Sequence, residues 1–141
     1  LFLSQSDIYA NITGGFKMIE TTYDLALSFA VFSSLFKKNF SEQTAFLGEV
    51  GLSGEIRPVS HIVTRILECA RSGCQRIFIP SQNYTVEKNA LAKILSENPS
   101  AEVQSQQRIR DFQAGSKGVE SFEKNLFIIP VEHVSEITQL L

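Results

Sequence analysis

The sequence predicts a mixed α/β domain, and three segments of its 141 residues lead to that fold class. Residues 46–80 show the pattern of a strand, a tight turn, a second strand, a helix and a third strand. Residues 22–37 are apolar around nearly the whole helical circumference. Residues 126–130 are a short apolar run ending at a proline, which is typical of a buried strand. Together they predict helices packed on a mixed sheet.

The N-terminal part of the chain predicts one strand and one helix. Apolar residues alternate in part over residues 7–16, which favours a strand with a bend at its paired glycines. The helix is expected at 22–37, with Thr21 or Thr22 as its N-cap. Because apolar residues surround this helix, we expect it to be buried centrally or to contact a partner.

Two short strands, near 44–50 and 54–59, are predicted on either side of a Gly-Leu-Ser-Gly turn. Glu49 and Glu55 flank this turn. Paired carboxylates are candidates for acid–base chemistry or cation binding. The favoured role is structural: accepting hydrogen bonds from the turn backbone or pairing with Arg57.

The next helix and strand have the clearest local signals in the chain. Apolar residues at helical spacing predict a helix over 61–72, with Ser60 as its N-cap. Gly73 is expected at the C′ position, where a residue that accepts positive φ is favoured. A buried strand follows at 75–80, and Pro80 closes it.

The two cysteines, Cys69 and Cys74, lie at the end of this helix. Their spacing does not exclude a disulfide, but nothing in the sequence indicates secretion, so a reduced pair is expected. His61 and His133 are the only histidines, and a zinc site is therefore not expected. We predict no metal ligands in this chain.

The C-terminal third predicts a helix at 84–96, a strand at 126–130 and a final helix at 131–140. Residues 97–125 between them are polar, with four Lys or Arg against five Asp or Glu. A long structureless connection is uncommon in a compact domain, so we expect a partly mobile, solvated insertion or one ordered by a neighbouring subunit.

Composition limits the function classes. A net charge of −2 gives no global field that would attract nucleic acid or an anionic membrane, so any DNA contact must come from a local patch. There is no apolar run long enough for a membrane helix, and no GxxxxGK[ST] phosphate loop. We expect a cytoplasmic protein without membrane contact. The start at Leu1 suggests a piece of a longer protein.

The string GEVGLSGEIRPV at 48–59, followed by a helix, a small-residue turn and RIFIP, resembles the proteolytic domain of Lon-type proteases. It is closer to the Lon-like C-terminal domain of the bacterial RadA/Sms family of DNA-repair proteins. The resemblance runs from about Asp7 to Asn83 and resumes weakly from Leu126. It implies a single domain over 1–141 with the ribosomal protein S5 domain 2 fold, in which 97–125 is an insertion.

The resemblance also allows the protease residues to be placed. The Lon nucleophile is a serine whose position is held here by Thr22, and the Lon lysine base is replaced by Val63. Leu47 stands where the family has a supporting threonine. A valine cannot accept a proton, and a hydroxyl without a base stays unreactive. We therefore expect no catalytic residues. The alternative is an active serine/threonine peptidase with an altered dyad of Thr22 and His61.

What the resemblance implies instead is a role in recombination. In the RadA/Sms family a zinc finger and a RecA-like ATPase domain precede the Lon-like domain, so zinc, ATP and magnesium would belong to a part absent from this chain. The full-length protein would be a DNA-dependent ATPase or helicase that promotes branch migration in DNA repair and homologous recombination. The Lon-like domain would close a hexameric ring and help bind single-stranded or branched DNA. The recombinase RecA is an expected partner.

Two surfaces are candidates for these contacts. Between positions 57 and 76 four arginines face one glutamate, a net +3. Arginine suits phosphate contacts, so we predict that this strip binds the DNA backbone; the arginines are Arg57, Arg65, Arg71 and Arg76. The alternative is that Arg57 pairs with a glutamate and Arg71 only complements the helix dipole. Several of the 11 phenylalanines cluster before position 50 and are expected in the core and at a heterologous subunit interface; they are Phe29, Phe32, Phe36, Phe40 and Phe46.

Overall fold

The computed structural model describes residues 7–13, 19–97, 101–103 and 126–139. Its helices are α1 (Asp24–Phe36), α2 (Ile62–Arg71), α3 (Ser81–Val86), α4 (Lys88–Glu97) and α5 (Val134–Thr138), with a 3-10 turn at Thr21–Tyr23. Its strands are β1 (Thr44–Phe46), β2 (Glu49–Val50), β3 (Ile56–Arg57), β4 (Arg76–Pro80), β5 (Ala101–Val103) and β6 (Leu126–Val131).

Four of these strands form a parallel sheet in the order β1-β4-β6-β5, and β2 and β3 form a separate antiparallel hairpin. The α/β fold class is thereby confirmed. The single strand predicted at 44–50 is wrong in detail, because it is two strands in different sheets. They separate at Leu47 and Gly48, where the chain leaves β4 and turns into the hairpin.

The sheet is covered on both faces, because successive side chains of a strand point to opposite sides. On β4, Phe78 joins one core and Ile77 and Ile79 join the other. The first core includes residues of α1, the hairpin and α5, namely Leu25, Phe29, Ile56 and Ile137. The second includes residues of α2 and α4, namely Ile62, Ile66, Leu91 and Ile94.

The strand predicted at 7–16 is wrong for the residues that the structure describes. Residues 7–13 form no strand and are exposed. They pair with none of the described strands, and residues 7–11 line a cavity with the outer face of α1. Without a neighbouring strand, a partial alternation of apolar residues has no ladder to join. Residues 14–16 lie outside the described part of the chain.

Both predicted N-caps are wrong, whereas the predicted C-cap is confirmed. Tyr23 holds the N-cap position of α1 and His61 that of α2, and neither helix receives a side-chain cap bond. The 3-10 turn replaces the cap of α1, so Thr21 and Thr22 lie inside a turn. Gly73 has the expected positive φ of 86° after α2.

The segment predicted as one helix at 84–96 begins earlier and is interrupted. α3 starts at Ser81, directly after Pro80, and Glu87 separates it from α4. The final helix predicted at 131–140 is shorter, because β6 continues through Val131 and α5 begins only at Val134.

Part of the predicted insertion is ordered. β5 (Ala101–Val103) pairs in parallel with β6 and extends the sheet. This strand was not expected from the polar sequence around it. The rest of the segment after Glu97, at 98–100 and 104–125, lies outside the described residues, so its predicted role as an insertion stays a prediction.

The aromatic cluster predicted before position 50 lies largely in the core. Phe46 stacks between Phe29 and Phe78, with ring centroids 5.0 and 4.9 Å apart. Phe36 and Leu27, in contrast, remain exposed on the outer face of α1. α1 is therefore buried on one side only, and a partner contact on the other stays a prediction. No helix among the described residues has the length and apolarity needed to cross a membrane.

Candidate functional site

The two positions of the Lon dyad carry no catalytic pair. Thr22 ends up 3% exposed, with its carbonyl accepting a hydrogen bond from the amide of Gly48 at 3.0 Å. Its hydroxyl makes a long, 3.5 Å hydrogen bond to the carboxylate of Glu20. Val63 is half-buried in the first turn of α2 and packs against the second core. The nucleophile position thus holds a buried hydroxyl, and the base position holds an aliphatic side chain that cannot accept its proton.

An ion pair that the sequence did not indicate lies beside Thr22. Arg65 of α2 pairs with Glu20, and its Nε also donates to the carbonyl of Ser60 at 3.0 Å. The Arg65 side chain is only 20% exposed. Glu20 therefore receives bonds from both Thr22 and Arg65, which ties α2 to the start of α1. The Glu20 carboxylate thus has a structural role. No local sequence signal indicates the pair, because Glu20 and Arg65 are far apart in the chain.

His61, the alternative base, is exposed at the start of α2 with a φ of 56°. The Thr22 hydroxyl donates to Glu20, and no hydrogen bond among the described residues joins it to His61. The geometry of an activated nucleophile requires hydrogen-bond reach between hydroxyl and base. The structure therefore does not bring the altered dyad together.

The carboxylates that flank the turn have the structural role that the sequence favours. Arg57 contacts Glu55 at 2.6 Å and Glu49 at 3.3 Å. A hydrogen bond from Thr21, followed by those from Arg57, lowers the pKa of Glu49. The pKa of Glu55 is lowered first by its own backbone amide, then by Arg57, and also by the amide of Ser53. Both groups are ionised near neutral pH and are unsuited to act as general acids.

A second structural contact holds the hairpin from the other end of the chain. The amide of Ile56 donates to the carbonyl of Glu132 at 2.7 Å, and Nε2 of His133 contacts the carbonyl of Ser53 at 2.8 Å. Because the partners are about 80 residues apart, local sequence patterns could not reveal them. The turn is therefore fixed against the end of β6.

The ring of His133 is itself held by a capping box at the start of α5. Nδ1 accepts from the amide of Ser135 at 3.1 Å, and the carboxylate of Glu136 accepts from the amide of His133 at 2.8 Å. Since Nδ1 accepts, Nε2 carries the proton and donates to Ser53. The spacing of His133 and Glu136 is that of a capping box, but histidine is not part of the usual Ser/Thr-x-x-Glu/Gln signature, so that signature does not locate this helix start.

The predicted arginine strip is divided between two ends of the sheet. Arg57 lies on the hairpin, and Arg65 lies near the start of α2; both are near the ends of β4 and β6, which we call the carboxyl edge. Arg71 in the last turn of α2 and Arg76 at the start of β4 lie at the opposite end, the amino edge. A five-residue strand separates the edges by about 13 Å.

Ion pairing differs between these arginines. Each of the first three has a carboxylate partner: Arg57 as above, Arg65 with Glu20, and Arg71 with Glu68 at 2.5 Å. Three of the four arginines thus contact four glutamates (20, 49, 55 and 68), and the three glutamates from outside the strip bring its net charge from +3 to zero.

The two arginines of the amino edge have the fewest ion-pair contacts, although Arg76 is half-buried whereas the Arg57 side chain on the hairpin is 52% exposed. Arg71 is 71% exposed, and such exposed pairs contribute little and exchange easily. Arg76 has no ion-pair partner among the described residues. Burial lowers its pKa from the ordinary value, but a guanidinium remains protonated in proteins. The amino edge can therefore offer positive charge to an anion.

The described residues include no group of three or more His, Cys, Asp or Glu side chains arranged to hold a metal ion. The expectation of a chain without its own metal site is therefore still a prediction.

Comparison with known proteins identifies the family. The family model described as "Subunit ChlI of Mg-chelatase" matches residues 4–83, more than half of the chain. The chain belongs to this family. The match covers the hairpin, the Lon dyad positions and the arginine strip, so the family assignment rests on the segment that contains the whole candidate site.

Curated relatives extend this result. The DNA repair protein RadA of Salmonella typhimurium is 43% identical over 83 residues, which are 59% of this chain and 18% of that protein. RadA of Streptococcus pyogenes serotype M1 is 44% identical over 94 residues, 67% of this chain and 19% of the relative. The resemblance to the Lon-like domain of RadA proteins is thereby confirmed. The chain spans less than a fifth of the length of these relatives.

Proposed function

We propose that this chain is a non-proteolytic Lon-like domain that supports assembly and DNA contact in a RadA-type, DNA-dependent ATPase of DNA repair and homologous recombination. The observation that carries the proposal is that Val63 and a buried Thr22 occupy the two dyad positions, in a chain whose relatives are named DNA repair protein RadA. Branch migration of recombination intermediates is the proposed activity of the longer protein, with ATP, magnesium and zinc bound outside this chain.

The absence of a base supports the non-proteolytic part. Acyl transfer to a hydroxyl requires a group that removes its proton, and Val63 has no such group. The Arg65–Glu20 ion pair lies beside Thr22 instead and joins α1 to α2. A site of this kind stabilises the domain without providing a nucleophile.

The distribution of charge supports a DNA contact at the amino edge. Backbone contacts need accessible guanidinium groups, which bind phosphates through charge-assisted hydrogen bonds. Arg71 meets this requirement through its exposure, and Arg76 has no ion-pair partner among the described residues, whereas Arg57 and Arg65 already bridge parts of the fold. We therefore propose that the amino edge faces single-stranded or branched DNA in the assembled, cytoplasmic protein. We also propose the recombinase RecA as a protein partner of the assembled protein.

Hydrolysis of an unfolded protein tests the non-proteolytic part. Casein incubated with this chain is expected to remain intact, and a Thr22→Ala variant should behave identically. A Thr64→Ala variant is the matched control, because Thr64 is an exposed threonine of α2 outside the dyad positions. Casein cleavage that Thr22→Ala abolishes and Thr64→Ala preserves would refute the proposal and establish the altered dyad.

Light scattering over a wide concentration range tests the assembly part. The account predicts a mass that rises toward a hexamer, since exposed Phe36 and Leu27 leave apolar surface on α1. A Leu27→Glu change should lower that mass, and Leu52→Glu, at the fully exposed leucine of the turn, serves as control. A persistent monomer would contradict an assembly role for this domain.

A further inference from the structure

The C-terminus of α2 contains a pair of thiols in an arrangement that the proposed function does not use. Two backbone hydrogen bonds close the helix: the amide of Gly73 donates to Ala70 at 3.1 Å, and the amide of Cys74 donates to Cys69 at 3.0 Å. With the positive φ of Gly73, these are the bonds of a Schellman motif.

This motif determines which side chains meet. In a Schellman motif the residues at C3 and C″ commonly contact each other across the helix end. Those two positions are Cys69 and Cys74. Both thiols are half-buried against the core formed with α2 and α4, and both are free. The motif that ends the helix therefore also brings together the only two cysteines of the chain.

The environment of Cys69 agrees with this contact. Burial, followed by the neighbouring Cys74 thiol, raises the pKa of Cys69 to about 11. The thiol of Cys69 is consequently protonated at neutral pH, and a thiolate is the nucleophile in disulfide exchange. This disfavours attack by Cys69 on a disulfide, so the attacking role is assigned to Cys74.

We propose that Cys69 and Cys74 form a thiol–disulfide site that reacts with low-molecular-weight disulfides such as glutathione disulfide. The Cys74 thiolate attacks one sulfur of glutathione disulfide, a mixed disulfide forms, and one glutathione thiolate leaves. Cys69 then loses its proton to solvent, and its sulfur attacks the Cys74 sulfur and displaces the second glutathione. Two protein thiols are oxidised, and one glutathione disulfide is reduced to two glutathione molecules.

The product would cross-link the end of α2 to the start of β4. Gln75 and Arg76 follow directly, and both of their amides donate to the carbonyl of Gln43. The disulfide would thus fix the corner that connects a surface helix to a central strand of the sheet. Because the disulfide would lie beside Arg71 and Arg76, the amino edge would respond to the ratio of thiols to disulfides in the surrounding solution.

The experiment is equilibration of the reduced 141-residue chain with glutathione buffers of increasing oxidised fraction, followed by acid quenching and mass spectrometry. We expect one main product that has lost two hydrogen atoms and carries no glutathione. Peptide mapping should join Cys69 to Cys74, and the midpoint of the titration should not depend on protein concentration. Stable glutathione adducts, disulfide-linked dimers or persistent free thiols as the main species would overturn the proposal.

Two controls test whether the fold brings the thiols together. The equilibrium constant for disulfide formation should be about tenfold or more higher in the native chain than in concentrated urea, because the motif raises the effective concentration of the thiols. Gly73→Ala should lower the native value, since alanine is strained at positive φ although no atom lies within 4 Å. Ser72→Ala should leave it unchanged. Equal constants in the native chain and in urea would overturn the proposal even if a disulfide forms.

Discussion

The carboxyl edge and the amino edge of the parallel sheet both carry arginines, but the structure uses them differently. At the carboxyl edge Arg57 and Arg65 bridge elements through Glu49, Glu55 and Glu20. At the amino edge Arg71 makes only an exposed pair within its own helix, and Arg76 has no ion-pair partner among the described residues.

The comparison shows why a charge count along the sequence is insufficient. The positions of the Lon dyad lie near the carboxyl edge, where the amide of Gly48 donates to the carbonyl of Thr22 and a Cβ added at Gly48 would lie 3.5 Å from the side chain of Pro80. Both arginines there have carboxylate partners, so this pair of side chains stabilises the fold. The amino edge, with fewer such bonds, is the better candidate for binding an external anion.

The largest expected difference between the edges is in the loss of unfolding free energy when the glycine with positive φ at each edge is replaced. Gly54→Ala should lower the free energy of unfolding by about 2 kcal/mol, because strain adds to a clash with the His133 ring. A Cβ at Gly54 would lie 2.7 Å from Nε2 of His133. Gly73→Ala meets no neighbouring atom and should cost about 1 kcal/mol from backbone strain alone. Urea unfolding of both variants measures the difference, and equal losses would contradict a tightly held hairpin.

A smaller effect is expected from the ring that holds the turn. His133→Ala removes the cap of α5 and the bond to Ser53, and should cost about 1 kcal/mol of unfolding free energy. His61→Ala is the matched control, because His61 is exposed and makes no described side-chain bond; its effect should stay within about 0.5 kcal/mol. Similar losses in the two variants would show that the His133 bond does not hold the hairpin.

The smallest effect is the pH dependence of the hairpin ion pairs. The folded-state pKa values of Glu49 and Glu55 are lowered, so their contribution is present above the unfolded pKa and is lost as pH falls through the folded values. The difference in thermal midpoint between the wild type and Arg57→Ala should therefore shrink below about pH 4. A difference that stays constant from neutral to acidic pH would show that the pairs do not stabilise the hairpin.

Local signals explain which elements could be predicted. The helix over 61–72 and its end at Gly73 follow from apolar spacing and one glycine, and both are present within a residue or so. The hydrophobic β4 and β6 are likewise close to prediction. The Lon-like assignment also followed from sequence, because the string at 48–59 is specific.

The parts that could not be predicted depend on distant contacts. The alternation at 7–16 predicted a strand, but Tyr9 is 92% exposed and residues 7–13 have no partner strand. The bond of His133 to Ser53 and that of Arg65 to Glu20 join residues far apart in the chain. The spacing of residues along the sequence does not indicate such pairs. The charge count over positions 57–76 therefore overestimated the positive charge that is free of ion pairs.

The account's central claim is that the two edges divide structure from binding, and the salt dependence of DNA affinity tests it most directly. Binding of a single-stranded oligonucleotide would be measured over a range of salt for the wild type, Arg71→Gln with Arg76→Gln, and Arg57→Gln with Arg65→Gln. Thermal unfolding of each protein would confirm that it is folded at the temperature of measurement.

The account predicts that the amino-edge variant alone loses salt dependence, by about 0.7 in the slope of log affinity against log salt for each phosphate contact removed. The carboxyl-edge variant should be less stable but should keep the wild-type slope. A reduced slope in the carboxyl-edge variant, with an unchanged slope in the amino-edge variant, would contradict the division of the arginines between the two edges.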